Sequence, residues 1–294
     1  MTPPRTPAIA TAPTKKGQSH GDTRLYTEYK PDSAKRVRDD VMSYLKDGSF
    51  ISRTLGVITR NGTSKHFETI SGLDGLTCGI KDFATDGGVL TLFKILHAAD
   101  PVKFDAAFGS HATDVLSLSW ITQHNAGGKG VGADDAGLVT LEWLRVGLDT
   151  LLADPALRPA QLAAFRDQTA EPCHQDFLQR GFTREFSLAT MIAIANSTGA
   201  SGVRKRLDEI VAASNNTGLA LEKEAIQRLL TGYVGTSNAA NKALLEDGFA
   251  GTDPKLMKEG SGLNHRGRRA FELFQQFPYA AEVLFTSLGE FSTP

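Results

Sequence analysis

Residues 67–88 read Phe-Glu-Thr-Ile-Ser-Gly-Leu-Asp-Gly-Leu-Thr-Cys-Gly-Ile-Lys-Asp-Phe-Ala-Thr-Asp-Gly-Gly. Four carboxylates, Glu68, Asp74, Asp82 and Asp86, fall in this stretch among glycines at 72, 75, 79, 87 and 88. Thr77 and Ile80 give it a short extended character, and Gly72 and Gly75 suit a tight turn that needs a positive φ. The simplest arrangement is one small β-ribbon over residues 67–82, with a helix beginning near Gly88. Such a ribbon would present its acids at the lip of a cleft. Carboxylates on a turn beside helices can form a glycosidase site, although an acidic, glycine-rich turn is more often a solvated hairpin.

Outside the ribbon the patterning is helical. Asp32–Leu45 carries Val37, Val41, Tyr44 and Leu45 at helical spacing, and Phe50–Ile58 places Phe50, Ile51, Leu55 and Ile58 on one stripe. Val89–Ala99 is a helix stopped by Asp100-Pro101, and Val102–Phe108 follows it as a short one. Val115–Gln123 is a further apolar segment. Leu138–Leu152 and Pro159–Arg180 are helices separated by the proline-bearing break at 154–159. Phe186–Ala195 is apolar nearly all round, as a central buried helix should be, with Thr183 as its expected N-cap and Asn196-Ser-Thr-Gly199 ending it. Val203–Ser214, Glu222–Tyr233, Ala239–Asp247 and Arg266–Phe277 complete a mainly α chain. Residues 1–30, with Pro3, Pro4, Pro7 and Pro13, read as a disordered leader. Residues 31–290 then form a single domain.

The chain has 32 basic and 33 acidic residues, for a net charge of −1. That balance excludes the strong basic excess of a dedicated nucleic-acid binder. No apolar run approaches the roughly 18 residues of a membrane span, and residues 1–21 lack a signal-peptide core. A soluble protein is expected, either cytoplasmic or exported by a specialised secretion system. Cys78 and Cys173 could pair or remain thiols, and they match no zinc spacing. The histidines form no metal-binding spacing, so no cofactor is expected. The glycine-rich loop 126–137 lacks the Lys-Ser/Thr of a phosphate-binding loop.

Leu73-Asp-Gly-Leu-Thr-Cys-Gly-Ile80, followed by a helix, resembles the ribbon segment of the lysozyme-like superfamily. The resemblance is greatest to glycoside hydrolase family 46 chitosanases and their peptidoglycan-directed relatives. Phe165–Pro172 and Thr183–Gly199 are similar to the second half of such domains, so the likeness covers about residues 50–270. It implies a two-lobed fold and an inverting hydrolase acting on a β-1,4-linked amino-sugar polymer, peptidoglycan or chitosan. An antibacterial effector or lysin would fit, with a secretion-system or immunity-protein partner. The general acid of this family closes the helix before the ribbon. There this chain has Arg60-Asn61, and no acid lies between Asp47 and Glu68. A guanidinium cannot serve as that proton donor at neutral pH.

The hydrolytic reading therefore assigns the proton donor to Glu68, flanked by Phe67 and Ile70, with a salt-bridged surface glutamate as its plain alternative. Asp74 would activate water, and the resemblance gives Thr77 the hydroxyl that orients it. Arg60, Asn61, Asp82, Asp86 and Asn196 would contact the sugar chain. The alternative reading is a catalytically inactive lysozyme-fold protein that binds glycan or protein, with Arg60 marking the lost acid. In a third reading the helical body is only an interaction scaffold, with the ribbon as its docking loop.

Overall fold

The computed structural model describes residues 48–60, 67–68, 70–71, 77–81, 83–84, 88–117, 142–251 and 262–291. The expected leader, the helix over 32–45, Trp120 and the loop 126–137 lie outside them. Helix α1 spans Phe50–Arg60 and buries Ile51, Leu55 and Ile58 completely. Each such side chain contributes roughly 1.5–3 kcal/mol on leaving water. Thr54 and Thr59 are buried with them because their hydroxyls donate to Phe50 O and Leu55 O of the same helix.

After the ribbon come α2 (Gly88–Ala99), α3 (Pro101–Phe108) and α4 (Ala112–Leu116). The break between α2 and α3 follows from its residues. Asp100 accepts from Lys103 N–H at 3.0 Å as an N-cap, and Pro101 occupies the first helical position, where its missing N–H costs nothing. Helix α5 covers Glu142–Ala153 and α6 covers Arg158–Phe165. The sequence pattern suggests one helix over 159–180. The structure instead inserts a π-helical turn, Arg166–Ala170, between α6 and α7 (Glu171–Gln179). Wide turns of this kind shift the facing of side chains without breaking the hydrogen-bonded chain.

Helix α8 runs from Glu185 to Ala212 with a break at Gly199, whose φ of 72° and ψ of 156° are not helical. Positive φ is the reason glycine stands there. The first half is buried on all sides from Phe186 to Ala195, and the second buries only Val203, Leu207 and Ile210. Thr183 is not the N-cap. Arg184 holds that position without a side-chain capping bond, and the Thr183 hydroxyl donates to Glu222 instead. Glu222 also accepts from Thr183 N–H (2.9 Å) and Arg184 N–H (2.8 Å), so the start of α8 is held by a carboxylate from another helix. That helix, α9, spans Gly218–Val234, and α10 (Ala239–Ala250) and α11 (His265–Gln276) follow.

Contacts divide the helices into two groups. Helices α2 to α6 pack among themselves and on the ribbon, while α1, α7, α9 and α11 pack on α8, with α10 against α9 and α11. One continuous apolar core joins the two groups. No helix among the described residues is long and apolar enough to cross a membrane.

Candidate functional site

The ribbon is a three-stranded antiparallel sheet rather than a single hairpin. Its strands are β1 (Ile70–Ser71), β2 (Thr77–Cys78) and β3 (Phe83–Ala84). Thr77 pairs in register with Ser71 on one side and Ala84 on the other, which makes it central. Strands of two residues carry too few ladder bonds to persist alone, so the sheet depends on what it packs against. Strand β3 lies on α2, and Phe67, Cys78, Ile80 and Phe83 are buried.

Gln161 of α6 does most of the fastening. It is 1% exposed, donates from Nε2 to Phe67 O at 3.0 Å, and accepts from Ile80 N–H at 3.1 Å. One side chain thus ties the entry of the ribbon to the turn that follows β2. Gly79 makes this possible: its φ is +74°, and a Cβ there would lie 2.6 Å from Gln161 Oε1. Lys81 donates to Thr169 Oγ1 at 2.7 Å, with its ammonium 4.9 Å from the centre of the Phe83 ring. Gln168 donates to Gly88 O at 3.1 Å. The π turn therefore aims Gln168 and Thr169 at the far end of the ribbon.

Glu68 stands in the turn before β1, 3.7 Å from a guanidinium nitrogen of Arg158, at the start of α6. The side chain of Arg158 is 9% exposed and that of Glu68 is 35% exposed. The Arg158 guanidinium carbon also lies 5.4 Å from the centre of the Phe67 ring. Arg60 is the last residue of α1, as expected for the position that closes the helix before the ribbon. Asn61, Asp74, Asp82 and Asp86 lie outside the described residues. Asn196 lies in α8, three residues before the break, and its buried Oδ1 has no hydrogen-bond partner. It stands in the last turn before Gly199, where the first of the two helical runs of α8 ends, as expected from residues 196–199.

Sequence reading singled out neither Arg158, Gln161 nor Thr169. Gln161 did carry a signal. It lies on the stripe of Leu157, Ala164 and Phe165, and a polar side chain on a buried stripe must find partners. A small pocket of about 60 Å³ opens at the start of α8, lined in part by Arg53, Glu185, Phe277 and Tyr279. It holds a few waters at most, and no ribbon residue lines it.

Cys78 and Cys173 are buried thiols that do not form a disulfide. Burial pushes the Cys173 thiol up to about 12, with the Asp176 charge adding to the effect. Among the described residues, no group of three or more His, Cys, Asp or Glu side chains is arranged to hold a metal ion. His97 packs edge-on to Phe104, and Trp143 stacks on His111 with ring centres 4.1 Å apart. Comparison with known proteins finds no matching family model, no matching curated protein and no matching solved structure.

Proposed function

We propose that this chain recognises an amino-sugar polymer, peptidoglycan or chitosan, through its ribbon side, and that the proton-donor role of a chitosanase-like site is not filled. The Glu68–Arg158 pair carries this reading. A general acid must hold its proton near neutral pH, which calls for a desolvated carboxyl away from cations. Glu68 instead faces a guanidinium, and the helix before the ribbon ends on Arg60. The plain alternative for Glu68, a salt-bridged glutamate, fits this geometry better than the acid role does. In this reading the two-lobed lysozyme-like architecture is a scaffold for binding.

A second reading is favoured by the order of residues 73–80. The chain hydrolyses the polymer, Glu68 acts as the ionised partner that activates water, and Asp74, Asp82 or Asp86 supplies the proton. Incubation with insoluble peptidoglycan and with chitosan oligomers, followed by mass spectrometry and a pull-down, separates the two. Binding without new reducing ends is the outcome expected of recognition. New reducing ends lost in Glu68→Gln would establish hydrolysis, and neither binding nor cleavage would sink both readings.

A further inference from the structure

The break in α8 gathers polar groups around a buried guanidinium that no described carboxylate neutralises. Arg269 of α11 is 5% exposed, and its Nη1 lies 3.2 Å from Ala193 O, 2.6 Å from Ser197 Oγ and 2.9 Å from Tyr233 Oη. An Nη group carries two hydrogens, so it serves only two of these three oxygens at once. The Ser197 and Tyr233 hydroxyls, 3.2 Å apart, each bring one proton of their own. When one donates to the other, the proton of the second points elsewhere. Arg269 Nε is buried with no hydrogen-bond partner.

Charge is unbalanced at the same place. Arg269 and Arg266 form no ion pair with any described carboxylate. Arg266 sits 5.2 Å from the centre of the Tyr233 ring and donates to Tyr233 O at 3.2 Å. Arg206, near Gly232 in the same turn of α9, is already paired with Glu209 at 2.8 Å. Ala193 O belongs to the last turns before the break, so a cation there also offsets the negative end of a helix. That partial charge does not compensate a whole buried guanidinium, whose removal from water is costly unless matched by charge.

We infer that this cluster is a binding site for a single oxyanion, a phosphate or a carboxylate. Arg269 and the Tyr233 and Ser197 hydroxyls would hold it, with Arg266 at the mouth. Ser197 is exposed, which gives the anion a route from solvent. The site is independent of the glycan reading.

Thermal unfolding of the full chain tests it, with inorganic phosphate or acetate titrated against sodium chloride at matched ionic strength. A saturable rise in melting temperature is expected with one of the two anions, and the preferred anion tells phosphoryl from carboxylate ligands. Removing one hydroxyl, in Tyr233→Phe or Ser197→Ala, should raise the half-saturating concentration about tenfold. Arg269→Lys should abolish saturation, and the two hydroxyl variants carry the test if that variant fails to fold. No saturable rise with either anion would overturn the assignment. So would a rise that both hydroxyl variants leave unchanged, because Arg269 would then serve only to hold the end of the helix.

Discussion

From Phe186 to Ala195, α8 is buried on every side, while the ribbon consists of three strands of two residues each. The helix satisfies its own backbone along its length and needs help only at its two ends. Glu222 supplies acceptors at the start, and Arg269 supplies a donor near the break. The ribbon has almost no internal ladder, so its backbone is pinned by Gln161 of α6, while Thr169 of the π turn holds its Lys81 side chain. A long apolar helix can thus be specified locally, whereas a short sheet at a site must borrow its geometry from elsewhere in the chain.

Removing each anchor probes this difference. Glu222→Ala should have the largest effect, because it strips three charge-assisted bonds from a buried site at the start of α8. A loss of roughly 3 kcal/mol is expected in urea unfolding, spread over the whole molecule. Gln161→Leu should cost about 2 kcal/mol, and here the damage should be local. Amide exchange at Ile80 should accelerate far more than exchange in α8. Equal acceleration in both regions would mean that ribbon and helix unfold as one unit.

The thiols give a kinetic version of the same contrast. Both are buried, and the Cys173 thiol is pushed up to about 12, so native protein should resist alkylation at neutral pH and release two reactive thiols on unfolding. Gln161→Leu should expose Cys78, which lies in β2, before Cys173, which lies in α7. Simultaneous reaction would argue against a separately fastened ribbon.

The smallest expected effect is the surface pair Lys103–Asp154 at 2.6 Å, which joins α3 to the residue after α5. Lys103 holds Asp154 below its ordinary 3.8, and Asp154 holds Lys103 above its ordinary 10.5. A carboxylate with a depressed value stabilises the fold above its unfolded value, and that contribution is lost as pH falls through the folded one. The ammonium contribution is complete below its unfolded value and disappears as pH rises through the folded one. The pair should therefore act between about pH 4 and pH 10, and Asp154→Asn should lower stability slightly within that window and not at its extremes. An unchanged pH profile would show that solvent screens the pair completely.

The helices were legible in the sequence because apolar periodicity and the Asp100-Pro101 and Asp154-Pro155 breaks are local signals. The ribbon's place before the helix at Gly88 was legible from its glycines and acids. Its fastening was not, because Gln161 lies 94 residues from Phe67 and 81 from Ile80. Thr183 looked like a cap by position, but Glu222, 39 residues away, meets that need. The π turn left no trace, since Arg-Asp-Gln-Thr-Ala suits an ordinary helix as well as a widened one. For the candidate site, the sequence pointed to Glu68 and Arg60 but not to Arg158, whose pairing with Glu68 crosses 90 residues and changes which role the carboxylate fits.

The central claim is that the proton-donor position is unfilled, and release of reducing ends by the wild type and by Arg60→Glu tests it most directly. Both proteins would be incubated with peptidoglycan and with chitosan oligomers at equal concentration. The account predicts no release by the wild type and measurable release by Arg60→Glu, which places a carboxyl at the end of α1. Release by the wild type, undiminished in Arg60→Glu and lost in Glu68→Gln, would contradict it and make Glu68 part of a working hydrolase.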